Sequence, residues 1–318
     1  MRIAVLDDWQ QIARKSTDWS ALMARAEVAF FDTAFRSEDE AAKALADFDI
    51  LMSMRERTRF PASLVTRLPR LKMFAMTGRR AATIDAATMT ARGVTVCNTG
   101  SADNGEGTAE LALGLMLAAT RRIPAADANI RQGRFQDGVP VGFVLSGKTL
   151  GVLGLGRLGS LMARYGRALG MHVLAWSQNL TPDKAAAAGA AWVSKDDLLS
   201  RADVISIHLV LSDRTRGLIG APELARMKPG TILVNTSRGP IVDENAVVAA
   251  ANSGRIIAAL DVYDEEPLPA NHPLRTAKNT VLTPHLGFGT AETYALFYRQ
   301  SIENVLAFLD GKPTRVVS

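Results

Sequence analysis

Three side chains in the second half of the chain, Arg238, Glu266 and His285, have the chemistry to bind a carboxylate and to move a proton. A guanidinium group presents a planar fork of donors that matches a carboxylate. Histidine is the side chain best suited to moving a proton near neutral pH, and a carboxylate can orient its ring and hold the proton. Each residue alone is as easily a surface charge or a turn residue. Each of them, however, comes just after the carboxyl end of a predicted strand, and open parallel sheets bind ligands at that end. Together the three residues therefore favour a reaction site.

A glycine-rich turn precedes these residues in the chain. The sequence Gly-Leu-Gly-Arg-Leu-Gly at 154–159 follows the apolar strand 149–153 and opens a helical segment. Glycines allow a tight turn and a close backbone approach, and the helix N-terminus attracts a pyrophosphate. A purely structural turn is the alternative, but the strand–turn–helix context favours a dinucleotide site. The candidate residues are Gly154, Gly156, Arg157, Leu158 and Gly159.

The next predicted strand leaves the form of the dinucleotide open. NAD-specific sites normally end this strand with an acidic residue, but Ser177 and Gln178 stand there instead. Both side chains can form hydrogen bonds with a ribose. The missing carboxylate removes the usual barrier to a 2′-phosphate, yet no arginine adjoins these residues to pair with one. NAD and NADP therefore both remain candidates, with a lean toward NAD.

Short apolar runs alternate with helical segments along the chain, which is typical of parallel sheets with crossover helices. The predicted strands are 2–6, 28–31, 50–53, 72–75 and 94–96, then 149–153, 172–176, 204–208, 231–235, 257–261 and 280–283. The helix 107–122, which we expect Pro124 to end, would bridge the two α/β units. A last amphipathic helix at 290–309 would pack back on the first unit.

Composition narrows the class of protein. The 318 residues are 47% hydrophobic and 22% charged, with a net charge of +5 and one cysteine, Cys97. These values exclude disordered, collagen-like and disulfide-framework proteins and fit a reducing, cytoplasmic location. No apolar stretch reaches membrane-spanning length. The arginines are scattered, which favours small anionic ligands over nucleic acid, and no residue spacing suggests a metal.

The dinucleotide turn and the three strand-end segments resemble the D-isomer-specific 2-hydroxyacid dehydrogenase family over nearly the whole chain. The resemblance implies an α/β protein of two doubly wound parallel-sheet domains, Rossmann- and flavodoxin-like, with a cleft between them. Residues 1–100 would begin the substrate-binding domain, 101–286 would form the dinucleotide-binding domain, and 287–318 would return to the first. The implied reaction transfers hydride between a nicotinamide cofactor and a D-2-hydroxy acid or its 2-keto acid.

The resemblance also assigns roles to residues. Arg238 would bind the substrate's carboxylate and keto oxygen, Glu266 would pair with His285, and His285 would be the acid–base. Asp261 would contact the nicotinamide end of the cofactor. Further cofactor residues are expected in the other matching segments, namely Thr108, His208, Thr215 and Thr236. Members of the family are typically homodimers, often held together through the bridging helix.

One loop departs from the family pattern. Residues 77–85 keep Gly78, but Arg80 replaces a second glycine beside Arg79, and Arg55 lies in another arginine cluster at 55–59. Each arginine can be a solvated surface charge. If any of them reaches the substrate, bidentate pairing favours a larger or dicarboxylic 2-keto acid over a lactate-like one.

Two other functions remain open. A nucleotide-sensing interaction protein could keep the fold and bind NAD(H) without turnover. A formate-oxidising relative would share the cofactor domain. Loss of NADH or NADPH absorbance with 2-keto acids distinguishes a dehydrogenase from a nucleotide sensor. Carbon dioxide release from formate tests the formate-oxidising function.

Overall fold

A computed structural model describes residues 1–79 and 83–317 of the chain. The chain divides into two compact units: unit 1 comprises Met1–Asp103 with Thr290–Ser318, and unit 2 comprises Asn104–Gly289. Each unit is built on a parallel sheet covered by helices, which confirms the predicted α/β class. No helix among the described residues is long and apolar enough to span a membrane.

Unit 1 contains a sheet that has five strands in the described residues, in the order β2-β1-β3-β4-β5. The strands are β1 (Arg2–Val5), β2 (Glu27–Phe30), β3 (Ile50–Ser53), β4 (Met73–Met76) and β5 (Thr95–Cys97). The helices between them are α1 (Ala13–Ser16), α2 (Ser20–Met23), α3 (Glu38–Leu45), α4 (Ala62–Val65) and α5 (Ala86–Ala91). The terminal helix, Ala291–Leu309, begins where the Thr290 side chain accepts a hydrogen bond from the Thr293 amide, and it packs on β4 and α1.

Unit 2 contains a larger sheet, with seven strands in the described part of the chain, in the order β12-β11-β10-β9-β6-β7-β8. The strands are β6 (Thr149–Leu153), β7 (His172–Trp176), β8 (Ala191–Trp192), β9 (Val204–Ile207), β10 (Thr231–Asn235), β11 (Ile256–Leu260) and β12 (Thr280–Leu282). The helices are α6 (Glu106–Arg121), α7 (Ile123–Arg131), α8 (Arg157–Ala168), α9 (Pro182–Ala187), α10 (Lys195–Arg201), α11 (Ala221–Arg226) and α12 (Glu244–Asn252). The strand order reverses between β6 and β9, and such a switch point opens a crevice at the carboxyl ends of the strands.

The central strands of unit 2 are buried on both faces, because successive side chains point to opposite sides of the sheet. On β10, Leu233 packs with α10, α11 and α12 on one face, whereas Ile232 and Val234 pack with α6 and α8 on the other. Both cores hold the strands in register, so the loops that follow them start from fixed positions.

Two element predictions need correction. The helix expected at 107–122 ends at Arg121, because Arg122 adopts a left-handed conformation (φ 58°), and Pro124 lies in the first turn of α7 rather than stopping α6. The short edge strand β8 was not predicted, since it contains only two residues and both are exposed. The other strands lie within one residue of their predicted bounds.

Candidate active site

His285 and Glu266 form a close pair in unit 2. The Nδ1 atom of His285 lies 2.6 Å from Oε2 of Glu266, and both side chains are about a quarter exposed, at 23% and 28%. With Glu266 ionised, Nδ1 carries the hydrogen and donates it, which leaves Nε2 as the nitrogen that can reach a ligand. Glu266 is itself held, because its Oε1 accepts a hydrogen bond from the Tyr263 amide at 2.9 Å.

The loop that carries His285 is fixed by Asp261, which follows β11. Asp261 is fully buried, and its carboxylate accepts hydrogen bonds from the side chain of Thr283 and the amides of Leu286 and Gly287 at 2.6–2.9 Å. Its backbone oxygen accepts from the His285 amide at 2.8 Å. Burial raises the pKa of Asp261, and the hydrogen bonds oppose that shift. These contacts hold His285 at φ 53°, a left-handed conformation that is uncommon for residues other than glycine.

Arg238 follows β10 and is oriented through the backbone around it. Buried Asn235 donates from Nδ2 to the Arg238 carbonyl at 3.0 Å and accepts at Oδ1 from the Ser237 amide at 3.0 Å. The Ser237 hydroxyl in turn donates to the Ile207 carbonyl on β9 at 2.9 Å. Arg238 Nη1 donates to the Ser237 carbonyl at 2.7 Å. Because β10, β11 and β12 are adjacent parallel strands, Arg238, Glu266 and His285 all lie at one edge of the sheet.

A second carboxylate–histidine pair lies behind Glu266 and was missed in the sequence. Glu244, at the start of α12, accepts a hydrogen bond from the Asp264 amide at 2.8 Å and lies 3.3 Å from Nε2 of His272. Burial raises the pKa of Glu244, the Asp264 hydrogen bond and His272 lower it, and the Asp264 charge raises it. Glu244 thereby anchors the turn that presents Glu266. No short motif joins the two residues, so sequence spacing gave no signal for this pair.

The three glycines of the turn after β6 differ in what surrounds them. Gly154 has φ 96°, and a side chain there would meet the His208 carbonyl, since a Cβ would lie 2.6 Å from its oxygen. A Cβ on Gly159 would lie 2.0 Å from the Gly154 carbonyl oxygen, so only glycine lets α8 approach β6 this closely. Gly156, by contrast, faces open space. The first and third glycines serve packing, and the second leaves room for a ligand at the N-terminus of α8.

Two buried polar atoms near the switch point support a ligand there. Nδ1 of His208, just after β9, and Oγ1 of Thr236, just after β10, are buried and have no hydrogen-bond partner among the described residues. Buried polar groups are normally paired, so these atoms fit a site that a bound molecule completes. The other ring nitrogen of His208 lies 2.8 Å from the Ser206 hydroxyl, and burial lowers the pKa of His208 to about 4. The residues present therefore suit a dinucleotide.

A pocket of about 310 Å³ opens beside the carboxyl end of β7. The residues that line it are Trp176, Ser177, Gln178, Asn179, Leu209, Val210, Ser212, Arg214, Thr215 and Leu218. Ser177 and Gln178 thus lie in one pocket with Arg214, and the sequence-based expectation that no arginine adjoins them is wrong. Thr215 closes its own loop, since its hydroxyl donates to the Val210 carbonyl at 2.7 Å and accepts from the Ser212 amide at 2.8 Å.

The remaining predicted cofactor residues lie at the ends of α6 and α8. The Thr108 hydroxyl donates to the Gly287 carbonyl at 2.9 Å, so this residue supports the His285 loop. Arg157 is the exposed first residue of α8, and Leu158 packs against Gly105. Contact of these residues with a cofactor stays a prediction.

The predicted substrate loop belongs to unit 1. Gly78 has φ 79°, its amide donates to the Thr99 hydroxyl at 2.8 Å, and the Arg55 guanidinium lies close enough to contact a side chain placed there (3.4 Å to a Cβ). Arg55 also forms an ion pair with Glu56 at 3.7 Å. Arg79 is exposed, and Arg80 lies outside the described residues. The structure therefore brings Arg55 and Gly78 together, and the substrate contacts stay predictions.

Comparisons with known proteins show which family the chain resembles. The family described as "D-isomer specific 2-hydroxyacid dehydrogenase, NAD binding domain" matches residues 113–287. A glyoxylate reductase from Aeropyrum pernix is 43% identical over 262 residues, which cover 80% of this chain and 78% of that protein. A D-3-phosphoglycerate dehydrogenase from Mycobacterium tuberculosis is 42% identical over 275 residues, covering 86% of this chain and 52% of that protein. The chain thus spans about half the length of that relative.

A solved structure extends the likeness to the whole fold. A phosphoglycerate oxidoreductase from Vibrio cholerae superposes with a TM-score of 0.92 at 34% identity, over 98% of this chain and 99% of that one. The similarity therefore includes both sheets, and the resemblance inferred from the motifs is confirmed.

Proposed function

Because this chain belongs to the D-isomer specific 2-hydroxyacid dehydrogenase family, we propose that it transfers hydride between a nicotinamide dinucleotide and a D-2-hydroxy acid or its 2-keto acid, with His285 as the acid–base. The observation that carries the proposal is the 2.6 Å His285–Glu266 pair, which lies at the sheet edge that also bears Arg238 and the glycine turn. One edge thus supplies a cation, a proton donor and a dinucleotide cradle.

The chemistry follows from where charge develops. A nicotinamide cofactor, when bound, would supply the hydride that the keto carbon receives. Negative charge then grows on the keto oxygen, where His285 donates a proton from Nε2 to complete the hydroxyl group. Arg238 binds the substrate carboxylate and stabilises the charged oxygen with a second donor. In the reverse direction His285 accepts the hydroxyl proton as the hydride leaves.

Glu266 serves this step by fixing the ring of His285. Its carboxylate holds hydrogen on Nδ1, so that Nε2 faces the substrate in either protonation state of the ring. Glu266 also places a carboxylate oxygen 2.6 Å from the ring that would donate the proton.

The nicotinamide dinucleotide would be held by the residues around the switch point. Gly156 would leave room for the pyrophosphate at the N-terminus of α8, and Thr236 and His208 would offer their unpartnered atoms. Asp261 would act at the nicotinamide end mainly through the loop that it holds.

For the substrate, we favour a 2-keto acid with a second anionic group. The position of Arg55 against Gly78 supports this choice, because a guanidinium group next to an open glycine backbone suits a carboxylate or phosphate. The relatives are described as acting on glyoxylate and 3-phosphoglycerate, which contain one and two anionic groups.

The function is tested by following cofactor absorbance with glyoxylate, pyruvate, hydroxypyruvate, phosphohydroxypyruvate and 2-ketoglutarate, using NADH and NADPH in turn. We expect turnover, with higher kcat/KM for the keto acids that have a second anionic group. His285→Asn should lower kcat about 100- to 10,000-fold, as loss of general acid–base catalysis does. The control is His172→Asn, which changes an exposed histidine at the start of β7. Binding of cofactor without turnover, or a His285→Asn variant as active as the control, would contradict the proposal.

We also propose that the protein is a homodimer. Large apolar side chains are exposed along the segment 123–144 of unit 2, which includes α7. They are Ile123, Ile130, Phe135, Val141 and Val144, at 52–94% exposure. An extended group of this kind on a globular protein indicates an interface.

A further inference from the structure

We propose that this chain binds NADP(H) in preference to NAD(H), and that Arg214 together with Ser177 and Gln178 holds the 2′-phosphate of the adenosine ribose. The inference rests on the dinucleotide site of the proposed function and specifies its ligand. It replaces the lean toward NAD, which depended on the absence of a neighbouring arginine.

The location of the pocket identifies the part of the ligand that it would contact. In this class of sheet the end of the second strand after the glycine turn marks the ribose 2′ position. Here that strand is β7, which ends at Trp176, and the pocket begins with Trp176, Ser177 and Gln178. A group attached to the 2′ oxygen would therefore enter the 310 Å³ space.

The charge of the pocket suits a phosphate. Arg214 is the one charged side chain among the described residues that line it, and no carboxylate lies among them. An NAD site normally uses a carboxylate here, which would repel a 2′-phosphate. The Ser177 hydroxyl and the Gln178 amide add neutral donors beside the cation.

Arg214 is also available for a ligand. It forms no ion pair or side-chain hydrogen bond with another described residue, and it is exposed. Its loop is nevertheless fixed, because the Thr215 hydroxyl donates to the Val210 carbonyl and accepts from the Ser212 amide, which ties the residues on both sides of Arg214 together. A guanidinium group held at the rim of a pocket in this way can pair with two phosphate oxygens at once.

Binding measurements test the proposal without turnover. Fluorescence titration should give a Kd for NADPH at least about tenfold below that for NADH, and adenosine 2′,5′-bisphosphate should bind more tightly than 5′-AMP. Arg214→Gln should weaken the binding of NADPH and of the bisphosphate roughly ten- to hundredfold, which is the range for the loss of a hydrogen bond to a charged group. The Kd values for NADH and 5′-AMP should remain unchanged.

The matched control is Arg201→Gln, which removes an exposed arginine from the end of α10. Arg201 precedes β9, so it lies at the opposite edge of the sheet from Arg214, which follows β9. This variant should bind all four ligands like the wild type. Ser177→Asp is a second variant. Its new carboxylate should weaken the binding of NADPH and leave the binding of NADH unchanged.

Equal or tighter binding of NADH by the wild type would overturn the proposal, as would an Arg214→Gln variant that loses both dinucleotides alike. These outcomes are independent of the reaction. A chain that reduces 2-keto acids with NADH alone would keep the proposed function and lose this inference. A chain that binds NADPH tightly but reduces no keto acid would support this inference and contradict the proposed function.

Discussion

At the scale of single residues, the candidate site contains two histidines in opposite settings. His285 is paired with a carboxylate, whereas His208 lies beside the Ser206 hydroxyl and has a pKa that burial lowers to about 4. A ring that stays neutral can accept or donate a hydrogen bond without adding charge near a pyrophosphate. Under the proposed function, His285 would transfer the proton and His208 would contact the cofactor.

The buried ring of His208 gives the unfolding free energy a pH dependence. In the unfolded chain a histidine binds its proton near pH 6.5, but His208 in the fold does so only near pH 4. The unfolded state thus binds more protons between these values, and the unfolding free energy falls as the pH falls from 6.5 toward 4. By pH 5 this residue should account for a loss of up to about 2 kcal/mol.

His208→Gln should remove that part of the slope. Urea unfolding of the wild type and the variant at pH 7 and pH 5 measures this effect. Between pH 7 and pH 5, the unfolding free energy of the wild type should fall by up to about 2 kcal/mol more than that of the variant. Parallel pH profiles would show that His208 is protonated equally in both states.

Some of the site residues could be predicted because their signals are local. The glycine turn is contiguous with its strand and helix, and Arg238, Glu266 and His285 each follow a recognisable strand. Arg214 could not be assigned, because its role depends on how far the loop after β9 extends past β6 toward β7. Strand order does not fix the reach of a loop.

At the scale of elements, the loops after β10, β11 and β12 act together because buried carboxylates join them. Asp261 holds the His285 loop, and Glu244 holds the turn that carries Glu266. Apart from the exposed two-residue strand β8, the strands were predictable within a residue, since a parallel strand buried on both faces is a continuous apolar run. The loop contacts were not predictable, because they join residues 20 or more positions apart through single hydrogen bonds.

Glu244 should therefore behave as a positioning residue for Glu266. Glu244→Ala removes the acceptor for the Asp264 amide, and we expect kcat to fall about tenfold with little change in KM, since substrate binding is left to other residues. Glu244→Gln keeps an oxygen for that amide and should restore most of the loss.

Steady-state kinetics with thermal unfolding of the same samples checks this expectation. Glu223→Ala is the control, because Glu223 also accepts a backbone amide at a helix start and forms an ion pair, with Lys195 at 2.9 Å. If both alanine variants lost kcat in proportion to stability, Glu244 would be merely structural.

At the scale of the whole molecule, the exposed apolar segment 123–144 predicts self-association. Phe135 is 70% exposed and Val141 is 94% exposed, so aspartate at either position adds a charge to the surface and removes no core contact. Light scattering after size-exclusion chromatography should show a dimer for the wild type. Phe135→Asp and Val141→Asp should weaken it about tenfold or more, as for residues at the centre of an interface.

The control for self-association is Met23→Asp. Met23 is 41% exposed on α2, in unit 1, and does not belong to this segment of unit 2. The Met23→Asp variant should remain dimeric. A monomeric wild type, or a dimer that tolerates all three changes, would contradict the assignment.

Unit 1 is assembled from the two ends of the chain, and this affects its synthesis. The terminal helix buries Tyr294, Phe297 and Tyr298, and Asn304 and Gln300 bond to the backbone after β5. A ribosome must therefore release all of unit 2 before these contacts can form. Unit 2 can acquire its core during translation, whereas residues 1–103 must wait for the terminal helix to complete their fold, in the period when chaperones would protect them.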